Sequence, residues 1–220
     1  MVKRTKLFVV HLSFMHDSCV FPNIDRVLQP IGEAIATSLQ DVETSNFKNV
    51  ADEYLDAFVE DDIEVVENLL GTAFVICQTY ISTVISRVRA LHRLYEKEHN
   101  SVALTTTSTN RPDIMAFGSP RVGNSRLSEV QVIDAFANYF KHQAEWNRDW
   151  DKLPQKSALT AQVISAVGAS RGATGNLRTG AKVLGNESYA KVSLFADILR
   201  RWLQNIHDGY QKELELKHLI

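Results

Sequence analysis

Apolar residues recur every three to four positions along most of this chain, the spacing that turns one face of a helix toward a core. Ile24, Val27, Leu28, Ile31, Ile35 and Leu39 form the first such series. Pro30 falls inside it, so the helix is expected to begin near Pro30 or kink there. A short helix is predicted over 47–59, through Phe47, Val50, Tyr54, Leu55 and Phe58. The acidic run Glu60-Asp61-Asp62 suits the start of the next helix, because carboxylates oppose the positive end of a helix dipole. That helix is predicted to reach about Glu98, with Val66, Leu69, Leu70, Ala73, Phe74, Cys77, Tyr80, Ile81, Val84, Val88, Leu91 and Tyr95 turned inward. Arg87, Arg89, Arg93 and Lys97 lie toward its C-terminal end, the sign expected there.

Beyond it the pattern stops. Residues 100–127 hold a Thr/Ser run, Pro112, Gly118, Pro120 and Gly123, and read as a long loop. Arg111, Arg121 and Arg126 give this loop local positive charge. Helical periodicity resumes at Ser128-Glu-Val-Gln131, a capping-box spacing, and is predicted to run to about Trp146. Residues 156–168, Leu177 to Leu184, and about 188–218 read as further helices. The stretch between Gly168 and Gly175 reads as a flexible connector. The first 21 residues are ambiguous: Leu7 to Leu12 reads either as a short strand or as an irregular arm packed on the body. No internal repeat and no pair of strands emerges. These elements predict one all-α domain over 1–220, a helical bundle with long antiparallel helices, an N-terminal arm and a long central loop.

Composition changes this picture little. The chain has 220 residues, 45% apolar and 23% charged, which suits a folded domain with a sizeable core. Its 24 basic and 26 acidic residues leave a net charge of -2, so a globally basic nucleic-acid binder is not indicated, although a local basic patch is compatible. Cys19 and Cys77 make neither a disulfide framework nor a zinc site. The apolar stretch Leu7–Val10 is too short for a signal peptide. The polar interruptions of Leu69 to Val88, Gln78 among them, mark a core helix, not a membrane span. A cytoplasmic protein without a membrane anchor is therefore expected.

Candidate chemistry concentrates in Asp134-Ala-Phe-Ala-Asn138-Tyr-Phe-Lys141-His142-Gln-Ala-Glu145-Trp146. A helix advances about 100° per residue. That predicts Asp134, Asn138, Lys141, His142 and Glu145 on one polar stripe, with Ile133, Phe136, Phe140 and Ala144 toward the core. A histidine between a lysine and a carboxylate is suited to acid–base work near neutral pH. The alternative is a merely solvated face. Trp146 and Trp150 flank Arg148, an arrangement able to stack bases or simply to close a helix end. The segment Gly172 to Gly180 lacks the Gly-Lys-Ser/Thr of a Walker loop, which favours a connector over a phosphate cradle. His11 and His16 lack a ligand set for a metal, and His92 and His99 are expected to be solvated. No metal or other cofactor is implied.

The run Ala137-Asn138-Tyr139-Phe140-Lys141-His142 resembles the signature of the HEPN superfamily of helical nucleases and toxins. That signature is an Arg, a polar residue, a few further residues and a His. Asn138 and His142 map onto the polar residue and the His, while Ala137 stands where the family has Arg. The resemblance implies a helical bundle, a homodimer with two motifs forming one site, and metal-independent RNA cleavage in a bacterial toxin or phage-defence setting. On that reading His142 is the acid or base, Asn138 orients it or the phosphate, and Lys141 holds the phosphate. Glu145, Trp146 and Arg148 contact the RNA. The missing Arg implies an alternative: a catalytically inactive HEPN-like module that binds a partner protein or a nucleotide ligand. A third expectation is a structural bundle without a site.

Overall fold

The computed structural model describes residues 2–44, 52–99, 103–146 and 150–220. Within them every regular element is a helix: α1 (Val2–Ser13), α2 (Asp17–Val20), α3 (Ile24–Thr44), α4 (Asp52–Glu98), α5 (Arg111–Ala116), α6 (Glu129–His142), α7 (Gln155–Ser165), α8 (Asn176–Val183) and α9 (Ser193–Leu216). Single 3₁₀ turns occupy Gln143–Glu145 and Trp150–Lys152. The all-α bundle expected from periodicity is what the chain forms.

The central element is α4. Leu70, Phe74, Cys77, Ile81, Val84, Val88 and Leu91 on it are buried. Helix α6 crosses it in the opposite direction, with Phe136 against Phe74 and Asp134 against Gln78. Helix α9 runs alongside α4 in the same direction, with Phe195 stacked on Phe74 and Tyr210 edge-on to His92. The Phe136–Phe74 and Phe74–Phe195 ring centroids lie 5.5 and 4.9 Å apart, so one aromatic column ties the three helices. Close approach depends on glycine. The Phe140 ring lies on Gly71 of α4 and the Phe136 ring on Gly180 of α8, where a β-carbon would meet ring atoms.

The described part of α4 from Glu60 to Glu98 is long and apolar enough to cross a membrane by length and composition. Of its most apolar window, 56% is buried inside the bundle, as in a core helix. Burial pushes the Cys77 thiol far above its ordinary range, so it is an inert packing group.

Several boundaries differ from the sequence reading. The N-terminal segment is helical, not a strand or an irregular arm. Four consecutive apolar residues suggest a strand locally, but Phe8, Leu12 and Met15 recur at helical spacing and are the ones buried. Helix α3 starts at Ile24 and passes through Pro30. The proline and Arg26, four residues before it, are both exposed, so water can take the unmatched carbonyl. No break separates the expected short helix from the long one: α4 is continuous from Asp52, and Glu60-Asp61-Asp62 lies inside it. Residues 47–51 of the expected short helix lie outside the described residues. Helix α6 stops at His142, four residues early. The long loop also contains α5, whose first turn carries Pro112.

What remains of that loop is tied down. Glu213 of α9 accepts hydrogen bonds from the amides and hydroxyls of Thr105 and Thr106, at 2.6 to 2.9 Å. Thr107 bonds the Tyr210 hydroxyl at 2.7 Å, and that hydroxyl lies 2.8 Å from His92 Nε2. His92 is therefore a core residue, 3% exposed, and not solvated. His99 is half-buried and stacks on Tyr95. At the other end, Arg200 of α9 pairs with Asp17 of α2, Asp25 of α3 and Asp197.

Candidate functional site

The site is built around one polar residue on an apolar face. Gln78 belongs to the buried stripe of α4 and is itself 8% exposed. Its amide must find partners, because an unpaired amide in a core is costly. Helix α6 supplies them. Gln78 Nε2 donates to Asp134 Oδ1 at 2.8 Å and to Asn138 Oδ1 at 3.0 Å, and Lys141 Nζ donates to Gln78 Oε1 at 2.6 Å.

Asp134 is 7% exposed, so its charge also needs a partner. Arg111, the first residue of α5, provides it: Nη2 donates to Oδ1 at 2.6 Å and Nε to Oδ2 at 3.3 Å. The two-point geometry suits a guanidinium facing a carboxylate. The result is a chain of contacts from Arg111 through Asp134 and Gln78 to Asn138 and Lys141.

Beside this chain lies a cavity of about 720 Å³, bounded by α5, α6, α7 and the segment before α6. Met115, Leu127, Ala135, Leu159, Val163 and Ala166 give it an apolar wall. Arg111, Arg126 and Lys156 bring three cations to its lining, against the single carboxylate of Asp134. Its size and mostly apolar lining are those of a small-molecule site.

The expected polar stripe divides. Asp134, Asn138 and Lys141 join the Gln78 network, buried at Asp134 and open to solvent at Lys141, while His142 does not. The His142 side chain is 48% exposed, and its Nδ1 lies 3.3 Å from Glu145 Oε2, a carboxylate that is itself 74% exposed. Neither lines the cavity. Along the helix, His142 sits eight residues beyond Asp134, about 12 Å at the usual rise. Ala137 is fully buried in the core. Ala144, expected inside, is exposed, because α6 has already ended. Trp146 packs edge-on against Tyr139 and Trp150, with centroids 5.4 and 5.6 Å away. Its indole nitrogen is buried and has no hydrogen-bond partner among the described residues. Arg148 lies outside the described residues.

No protein-family model matches the chain, and no characterised protein or solved structure matches it significantly. Its chemistry is therefore read from its own residues.

The Gly-rich stretch before α8 is not an open cradle. Glu67 of α4 accepts from the backbone amides of Leu177 and Arg178 at 3.0 and 3.1 Å, and from Arg178 Nε at 2.8 Å. A carboxylate of the chain itself occupies the place where an anion would bind at that helix start. Among the described residues no group of three or more His, Cys, Asp or Glu side chains converges as metal ligands would.

Sequence reading missed the pairing of Arg111 with Asp134, the bridging role of Gln78 and the part of Lys156. Gln78 carried a usable signal: a lone amide in the inward series between Phe74 and Ile81. Nothing local announces Arg111, which lies 23 residues from its partner.

Proposed function

We propose that this chain is a non-catalytic, ligand-binding helical module, and that the cavity bounded by α5, α6 and α7 is its binding site. The observation that carries this reading is the separation of His142 from the cation–carboxylate pair and from the cavity. General acid–base cleavage of RNA needs a proton-transferring group and a phosphate-stabilising cation converging on one reacting centre. Here His142 faces solvent beside Glu145, Lys141 is bonded to Gln78, and Arg111 is bonded to Asp134. The position where the HEPN resemblance would place an arginine is Ala137, enclosed by the core. This supports the inactive-module expectation over the ribonuclease one.

The test pairs two measurements on the purified protein. Incubation with a broad RNA panel without metal should leave the RNA intact, for the wild type and for His142→Ala alike. A thermal-shift screen of small anions, neutral compounds and nucleotides should find stabilising ligands, and Arg111→Ala should weaken them. RNA cleavage that disappears in His142→Ala would overturn this reading in favour of a ribonuclease, assembled from two copies of the chain.

A further inference from the structure

Most hydrogen-bonding groups around the cavity are already engaged. Gln131 uses both ends of its amide: Oε1 accepts from Ser128 N at 2.9 Å and Nε2 donates to Pro112 O at 3.2 Å. Asn138 Oδ1 accepts from Gln78. The Ser125 hydroxyl donates to Val122 O at 2.7 Å, and that of Thr160 to Lys156 O at 3.3 Å. The Arg111 guanidinium is held by Asp134. A nucleotide base, read through the donors and acceptors on its edge, would have to displace these contacts.

Two charges are not engaged. Arg126 and Lys156 line the cavity, both are exposed, and neither forms an ion pair among the described residues. Lys156 also sits in the first turn of α7, which carries no acidic residue. A cation at the positive end of a helix is unfavourable until an anion joins it. Beside these cations the wall is apolar, and Leu159, 56% exposed, lies on it.

Resting on the binding-module reading, we propose that the ligand is an amphipathic anion. It is a free small molecule with an apolar body and one acidic group. The body lies along Met115, Leu127, Leu159 and Val163, and the acidic group meets Arg126 and Lys156. Apolar burial supplies the affinity, and the two cations choose the sign of the charge. A nucleotide is a poorer fit, because apart from the exposed Gln162 the amides that line the cavity are already hydrogen-bonded and leave little to read a base with.

Calorimetric titration with dodecanoate, kept below its micellar concentration, tests this, beside dodecyltrimethylammonium and adenosine monophosphate. Dodecanoate should bind one per chain, and the cationic analogue should bind at least about tenfold more weakly. The double variant Arg126→Glu/Lys156→Glu should lose dodecanoate affinity about tenfold or more. Leu159→Glu should lose it comparably. All three positions are exposed, so helix content by circular dichroism should be unchanged. Equal binding of the two dodecyl compounds would overturn the charge selection. Tighter binding of the nucleotide would overturn the ligand class and leave the binding-module reading standing. No binding of any probe would overturn the proposal, and RNA cleavage dependent on His142 would overturn the module reading with it.

Discussion

Gln78 shows how one side chain organises a site. It places an amide where the rest of the α4 stripe is apolar, and Asp134, Asn138 and Lys141 of α6 all turn to it. Replacing it with leucine would take a hydrogen-bond partner from the buried Asp134 and the half-buried Asn138, while the exposed Lys141 ammonium would turn to water. Asp134 keeps its two bonds from Arg111, so we expect a loss of about 1 kcal/mol, the usual net worth of a hydrogen bond. Urea denaturation would measure it, and an unchanged midpoint would mean that water replaces the amide freely. Ala137 poses the opposite problem. Arginine there would push an unpaired cation into the core beside Phe136, at a cost of about 3–5 kcal/mol. Ala137→Arg should therefore unfold at markedly lower urea and gain no RNA cleavage. A stable variant that cleaves RNA would show instead that position 137 can reach the surface.

At the scale of the element, α6 explains why part of the chain was legible and part was not. Its start was legible because a capping box is local. Ser128 Oγ accepts from Gln131 N, and the Gln131 side chain returns to Ser128 N. Ser128→Ala should cost about 1 kcal/mol, read as a lower thermal midpoint, and somewhat more because Ser128 also donates to Met115 O. The faces of α6 were harder to read. Val132, Ile133, Asp134, Ala135, Phe136 and Ala137 are six consecutive buried residues, because helices surround its middle. A helix packed all round has no solvated stripe for a polar pattern to mark. The stripe from Asp134 to Glu145 was thus real as spacing but split in space, buried at one end and wet at the other. Close packing sets a second requirement. Gly71→Ala would drive a β-carbon into the Phe140 ring and force α4 and α6 apart. We expect a loss of about 1–3 kcal/mol, as for overpacking elsewhere, partly relieved in Gly71→Ala/Phe140→Leu, a double variant whose recovery would identify the ring as the obstacle.

Across the whole molecule, long-range polar ties close the bundle, and they respond to acid. Glu213 is drawn in two directions: burial raises its pKa, but four hydrogen bonds from Thr105 and Thr106 outweigh this and hold it below its ordinary value of 4.5. Burial lowers the His92 pKa below its ordinary 6.5, with Glu96 and Glu213 opposing only in part. Burial, aided by the Glu213 charge against the hydrogen bond from Thr107, pushes the Tyr210 phenol up to about 12, so its proton stays in place. A neutral His92 can accept that proton's hydrogen bond through Nε2; a protonated one cannot. For both Glu213 and His92 the unfolded chain takes up protons more readily than the folded one. Stability is therefore greatest above pH 6.5, begins to fall as His92 of the unfolded chain titrates, and falls further below 4.5 as Glu213 follows. Thermal midpoints measured from pH 8 to pH 4 should decline in that order. His92→Gln should flatten the decline between pH 7 and 5, and Glu213→Gln should flatten it below pH 4.5, while lowering the midpoint at neutral pH because the loop at Thr105–Thr107 loses its anchor. Hydrogen exchange at the Thr105 and Thr106 amides should rise in Glu213→Gln. If those amides stayed protected while the midpoint fell, the carboxylate would be stabilising α9 and not fastening the loop.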